Sequence, residues 1–379
     1  MYRLYDTVFK TEKKSISEKL LSMSFLYLFF IIAVGVVGVA ILYSAGSGNW
    51  QPWALPQLVR FLVGFVALFV LAMIDIRFFA KYAYIFYFFG LILLLIVEIF
   101  GHIGMGAQRW IDLGFFKLQP SEFMKIALVL ALAKYFHNTA LQQIESTRGI
   151  MPPIIMALLP IGLIYLQPDL GTALMLLFVT GAILFAVGVQ VWKFVAVGAA
   201  GVLSLPVLWY FMHDYQRNRV LTFLNPERDQ LGAGYHIIQS KIALGSGGLF
   251  GKGFLDGSQS HLNFLPEKHT DFIFTMLAEE LGFVGALGVL FLNVLIIVCG
   301  YIFAFRTTSY FGKLVIIGLN TNYFLYVFIN IAMVLGLLPV VGVPLPLISY
   351  GGTVILSIMA SFGIIMSAYI NRDENFIHG

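Results

Sequence analysis

Charge is what this sequence lacks most. Of its 379 residues only 11% are Asp, Glu, Lys or Arg, where a soluble domain carries about a quarter. So few charged groups cannot cover a water-facing surface of this size, which argues against an ordinary soluble enzyme. Cysteine is nearly absent: Cys299 is the only one, and it lies in an apolar run, so there is no disulfide framework. A Walker-type phosphate loop is missing, as are internal repeats and low-complexity tracts. The formal net charge is only +4, and its placement gives no sign of nucleic-acid binding. No cleavable leader is predicted: the first apolar stretch follows a polar tail of about twenty residues and is long enough to span a bilayer.

What remains is apolar mass. Hydrophobic residues make up 60% of the chain, with 36 Phe and 18 Tyr. Crossing the hydrocarbon takes about 20 apolar residues at ~1.5 Å rise each. Such runs fall near 22–44, 57–74, 80–101, 121–137, 152–167, 170–188, 191–211, 271–304, 313–338 and 347–370. The predicted fold is an all-α integral membrane protein of about ten spans forming one domain, residues 1–379, with a tail over 1–20. Between the fifth and sixth runs, Gln167-Pro168-Asp169 breaks the helix, because proline removes a backbone donor.

Orientation follows the Lys and Arg of short loops. With the tail (Arg3, Lys10, Lys13, Lys14, Lys19) inside, Arg77, Lys81, Lys134, Arg148, Lys193, Arg306, Lys313 and Arg372 fall on the same face. Both termini are then cytoplasmic, and the loops at 45–56 and 339–346, which have no Lys or Arg, lie outside. Arg109 and Lys117 in the outer loop 102–120 run against this bias, which marks them as functional candidates.

Residues 212–270, between the seventh and eighth spans, form a large glycine-rich extracytoplasmic loop. Loops this long usually carry a function. Its Gly232-Ala233-Gly234-Tyr235-His236, Gly245-Ser246-Gly247-Gly248 and Gly251-Lys252-Gly253 allow close backbone approach to a ligand. Arg217, Arg219, Lys241 and Lys268 suit phosphate. A flexible connector with turn glycines fits the same pattern. His236, His261 and His269 lack zinc-type spacing.

Asp271 stands where the polar loop becomes apolar, with Thr270 as a candidate helix cap. A carboxylate there meets a lipid headgroup and can serve as general base toward a sugar hydroxyl; it equally suits a helix-capping acid. The two roles pull apart, since a helix N-terminus stabilises the ionised form and weakens the base unless burial offsets it. Within the apolar runs, ionisable residues are costly and usually functional. Glu122 and Lys125 are three apart on one helix face and can pair; a neutralised bundle pair and a charged cavity wall are both open. Asp169, in the Gln167-Pro168-Asp169 break, invites the same two readings. Arg60, Glu279 and Glu280 are further candidates, Glu279 as a substrate-binding or cavity residue, and each fits a structural role better than a catalytic one. Pro339 to Pro346, then Ser349-Tyr350-Gly351-Gly352-Thr353, interrupt helix near membrane depth, where irregular backbone must be buried or line a cavity.

In order and spacing, several segments resemble the SEDS family of cell-wall proteins (shape, elongation, division and sporulation). They are Gly106-Ala107-Gln108-Arg109-Trp110, Gln119-Pro120-Ser121-Glu122, Gln167 to Thr172, Gly232 to His236, Phe264 to Asp271 with Ala278 to Gly282, and Asn330 to Thr353. The resemblance covers the chain after its tail. Val354 departs from it, since the family usually has Ser or Ala there. The resemblance implies a ten-span peptidoglycan glycosyltransferase of the bacterial cytoplasmic membrane. It would use lipid II on the outer face for cell elongation and rod shape, with a class B penicillin-binding protein supplying transpeptidation. Asp271 matches the acid required for polymerisation, Glu122 and Lys125 the polar pair of span four, and Asp169 the acid after span five. A magnesium or manganese ion is a plausible cofactor. A lipid II flippase is the rival expectation, since charges at mid-membrane and interrupted helices suit transporters, and a non-catalytic scaffold for cell elongation is the third.

Overall fold

The computed structural model describes residues 14–104, 107–112, 114, 117–139, 146–212, 214–229, 232–257 and 268–373. The tail residues Arg3, Lys10 and Lys13, and the loop residues His261 and Phe264 to Glu267, lie outside that set. After a short helix α1 (Ile16–Leu21) come α2 (Phe25–Ala45), α3 (Ala54–Met73), α4 (Ile76–Phe100), α5 (Pro120–Asn138), α6 (Thr147–Leu166), α7 (Leu170–Val187) and α8 (Val191–Phe211). Two loop helices come next, α9 (Asp214–Leu224) and α10 (Ala233–Ser246), then α11 (Ile273–Arg306), α12 (Tyr310–Val334) and α13 (Gly352–Ile370).

Among the described residues, eight of these helices are both long and apolar enough to cross a membrane. The chain is a multi-pass membrane protein. Two further helices are of similar length. α5 carries Glu122, Lys125 and Lys134, and α8 has its most apolar stretch at Val191–Ser204. The expected helix boundaries agree to within a few residues. Two features differ from the all-helical expectation. Residues 102–118 hold a three-stranded antiparallel sheet, β1 (His102–Gly104), β2 (Ala107–Asp112) and β3 (Lys117–Leu118). The 212–270 segment is also more ordered than a connector, because α9, a 3₁₀ turn at Pro226–Arg228 and α10 occupy much of it.

α12 and α13 form the centre: 78% of their apolar windows is buried, against 28% for α3 and α4. α3 packs along α13, and α12 touches α5, α7, α11 and α13. The outward faces of the peripheral helices are apolar, as on α8, where Val197 is 72% and Leu203 79% exposed. Such faces suit hydrocarbon. At one end of the bundle the Lys14 ammonium donates to Ile370 O (2.6 Å) and that of Lys19 to Met73 O (2.7 Å). Ser367 Oγ donates to Ile74 O there (2.6 Å), so both described chain ends share one face. The sheet and residues 268–272 sit at the other.

α11 is not one rod. At Gly282 the backbone turns to φ 69°, ψ −169°, a region essentially reserved for glycine. The break orphans backbone groups, and the Gly247–Gly253 segment satisfies them. Lys252 N donates to Glu279 O and Gly253 N to Glu280 O (3.1 Å each), while Phe283 N donates to Gly248 O (2.9 Å) and Val284 N to Leu249 O (3.1 Å). A Cβ on Gly282 would fall 2.6 Å from Leu249 O and Phe250 C, so the splice has no room for one. On its C-terminal side, Phe283 to Arg306 is long enough to span (about 36 Å at 1.5 Å per residue). On its N-terminal side lies a short helix that continues directly from the end of the polar loop.

Candidate active site

α11 begins at Ile273 with Phe272 as N-cap. The expected cap, Thr270, instead lies in the preceding turn, because residues 268–272 turn before helical geometry starts. Asp271 sits in that turn, one residue before the cap and half-buried. Its Oδ2 lies 3.5 Å from where a Cβ on Gly342 would be, so the carboxylate faces the irregular segment 339–351. That segment is tied to the turn by side chains. The Asn330 amide on α12 donates both to Asp271 O (2.9 Å) and to Val343 O (2.7 Å). Ser349 Oγ donates to Thr270 O (2.7 Å), and Tyr350 N to His269 O (2.8 Å). The His269 ring stacks on Trp53, with centroids 4.7 Å apart.

An apolar cavity of about 480 Å³ opens beside this wall. α7 supplies Leu174 and Phe178, α12 supplies Phe324 and Phe328, and the wall supplies Pro339 and Val341. Among the described residues Arg219 of α9 is its one charged lining residue. Lys268, three residues from Asp271, is buried, and loss of solvent holds its ammonium below the usual lysine range. The Lys241 side chain lies against Gly336, beyond the end of α12.

The other charged candidates form separate groups. In the bundle, Lys125 Nζ donates to Glu122 Oε1 at 2.7 Å, and both residues are buried. The Tyr326 hydroxyl also donates to the Glu122 carboxylate (2.7 Å), and Ser357 Oγ donates to Glu122 Oε2 (2.8 Å). Lys125 further contacts the Tyr326 hydroxyl and lies 4.2 Å from its ring centroid. The anticipated pair is therefore the centre of a four-residue network joining α5, α12 and α13. Tyr326 and Ser357 gave no signal of this in sequence, since their partnership exists only in three dimensions.

Asp169 caps α7, accepting from Thr172 N (3.2 Å) and from Thr172 Oγ1 (2.9 Å). Arg109 Nε stands 4.0 Å from Asp169 Oδ2 and donates to Gln167 O (3.2 Å), with Nη2 on Pro168 O. Arg109 thus latches β2 onto the break between α6 and α7. Arg217 donates to Trp209 O (3.0 Å) and Tyr210 O (2.6 Å) at the end of α8. Lys117 is exposed on β3. Glu279 is fully buried and paired with Lys252 at 2.7 Å, beside the helix splice. None of these contacts reaches Asp271. Among the described residues no group of three or more His, Cys, Asp or Glu could hold a metal ion.

Fold and site together define a polytopic helical membrane protein with a carboxylate, a buried lysine and an apolar cavity at one end of the bundle and a neutralised charge network within it. The family profile for FtsW, RodA and SpoVE, described as cell cycle protein, matches residues 18–374, and the chain belongs to that family. It is 46% identical over 347 residues to the peptidoglycan glycosyltransferase MrdB of Escherichia coli K12, covering 91% of this chain and 93% of that one. Over 340 residues it is 35% identical to MrdB of Helicobacter pylori, covering 89% and 87%. Its fold matches a solved chain of a peptidoglycan synthase complex that coordinates polymerization and crosslinking, with TM-score 0.81, 30% identity and coverage of 93% and 99%. It also matches the rod shape determining protein RodA of Thermus thermophilus, with TM-score 0.71, 28% identity and coverage of 93% and 98%. The SEDS resemblance drawn from the motifs and these matches agree.

Proposed function

We propose that this chain is a peptidoglycan glycosyltransferase that polymerises lipid II for cell elongation, with Asp271 as general base. The observation that carries the assignment is the placement of Asp271. Its carboxylate faces the 339–351 wall, and that wall also borders the apolar cavity. A prenyl chain lies in such a cavity while its sugar reaches the carboxylate.

The reaction joins the C4 hydroxyl of an acceptor sugar to C1 of an α-linked donor, giving a β-1,4 bond. One in-line displacement inverts C1, so no sugar–enzyme bond is required. Asp271 takes the hydroxyl proton as the new C–O bond forms, the part played by the base carboxylate of inverting glycosidases. The C1–O bond breaks toward undecaprenyl pyrophosphate, which leaves as an anion and needs cations more than a proton donor. Lys268, three residues from Asp271, and Arg219, which lines the cavity, are cations available on this path. Burial makes Lys268 responsive: a diphosphate beside it restores its preference for the charged form. Glu122, Lys125, Arg109 and Asp169 keep the helices and the α6–α7 break in register beneath and beside the site. Glu279 does the same for the splice. Arg217, Lys241 and Lys117 lie on the periphery of the same end.

The end bearing Lys14, Lys19, Arg372 and Asp373 faces the cytoplasm by the positive-inside bias. That places Asp271 and the 212–270 segment outside, and α5 and α8 complete ten spans. The outer end is where a class B penicillin-binding protein would meet the nascent strand. A magnesium or manganese ion would help offset the charge of the leaving diphosphate, and since among the described residues no group of three or more His, Cys, Asp or Glu could hold it, it would arrive with the substrate.

The test is purified protein given lipid II, with and without chelator and with and without the transpeptidase partner. Wild type makes glycan and Asp271→Asn, inserted and folded, makes none. Glycan from the Asn variant at the wild-type rate removes the base assignment. Movement of lipid II across vesicles with no polymer formed replaces the enzyme with a flippase.

A further inference from the structure

Arg60 lies in α3, six residues after its start at Ala54, about 9 Å along the helix. Its guanidinium stacks over the Tyr350 ring, with Cζ 4.6 Å from the centroid. The same group covers the first turn of α13: Nε and Cζ lie 3.5 and 3.7 Å from the position a Cβ on Gly352 would take. Among the described residues no carboxylate pairs with it, and its Nη1 is buried with no hydrogen-bond partner. In the same turn Thr353 is only 5% exposed and its Oγ1 also has no partner. The N-cap of this 19-residue helix is Gly351, which brings no side-chain cap, so the first amides stay open.

These groups do not balance by themselves. A cation against the N-terminus of a helix faces the positive end of the dipole. Buried donors without acceptors are costly in low dielectric. A single anion corrects all of it, accepting from guanidinium, hydroxyl and helix amides at once. The location selects which anion. Tyr350 N donates to His269 O and Ser349 Oγ to Thr270 O, which fixes the head of α13 against the turn that carries Asp271.

We propose that Arg60, Thr353 and the first amides of α13 bind a phosphate group of a prenyl-linked substrate or product. The assignment rests on the polymerase reading above for the identity of the lipid, and on the unpartnered groups for the site itself. Arg60 orients the phosphate through Nη1 and Nε while Tyr350 keeps the guanidinium flat.

Undecaprenyl phosphate is the probe, titrated against the detergent-solubilised full chain by native mass spectrometry, with inorganic pyrophosphate as a second arm. Thermal melting confirms that each variant is folded. Arg60→Gln should weaken undecaprenyl phosphate binding at least tenfold, Arg60→Lys by less, and Thr353→Val several-fold. Gly288→Ala, in α11 where an added Cβ meets nothing within 4 Å, should leave it unchanged. Competition by inorganic pyrophosphate that Arg60→Gln abolishes supports a site that takes the free anion. Lack of competition, with the lipid loss retained, supports a site that takes the anion only on its lipid. Should Arg60→Gln fail to fold, Arg60→Lys and Thr353→Val carry the test. Wild-type affinity in the folded variants overturns the proposal. Wild-type protein that binds the lipid through Arg60 yet makes no glycan overturns the polymerase reading and leaves the site standing.

Discussion

Replacing Gly282 by alanine tests whether the splice in α11 holds the turn that carries Asp271 in place. The native backbone there, φ 69° and ψ −169°, costs a non-glycine residue about 1–3 kcal/mol. The added Cβ also falls 2.6 Å from Leu249 O, closer than real contacts allow, so the 247–253 segment must retreat. Its four hydrogen bonds to the interrupted helix contribute roughly 0.5–1.5 kcal/mol each net. Losing half of them brings the expected total to about 2–6 kcal/mol. Gly288→Ala is the control: it lies in the same helix, where a Cβ meets nothing within 4 Å. Helix propensity there favours alanine by up to about 1 kcal/mol. Thermal melting in detergent should show a large drop for Gly282→Ala and none for Gly288→Ala. Lipid II polymerisation should fall with the former, because the splice positions the short helix that runs on from Asp271. Equal melting of the two variants would refute the reasoning.

Two further outcomes concern the buried charges. Glu122→Ala leaves Lys125, Tyr326 and Ser357 without their shared acceptor, and removing one member of a buried ion pair costs about 3–5 kcal/mol; melting should drop accordingly, Glu122→Gln should lose less, and full stability in both would show that the network is idle. Lys268, whose ammonium burial holds below its usual range, sheds its proton at lower pH than an exposed lysine. Polymerisation that needs the charge then falls on the alkaline side, and Lys268→Arg, which stays charged, should extend activity to higher pH; superimposable pH profiles would remove Lys268 from the site.

The spans were legible because transfer of apolar side chains sets them locally, residue by residue along each run. Lys125 beside Glu122 was legible because three-residue spacing fixes a shared helix face. The splice was hidden: Gly282 sits inside an apolar run, and only the fold brings Gly247–Gly253 to its broken hydrogen bonds. Thr270 looked like a cap because it precedes the apolar run, yet the chain makes one more turn before Phe272. Arg60 read as structural since its unpartnered nitrogen and the head of α13 are nearly three hundred residues apart in sequence. Helix α10 was masked by Gly232, Gly234, Gly245 and Gly247 in and beside it, and α9 by the polar run Asp214 to Arg219 with which it begins.

Asn330 fastens two strands of backbone with one primary amide, gripping Asp271 O and Val343 O together. It works as a rivet. Asp271 and the wall opposite it are held to travel together, so a push on residues 339–343 from a neighbouring protein or an advancing strand is passed on to Asp271. Any control of this enzyme through residues 339–343 has a short route to Asp271.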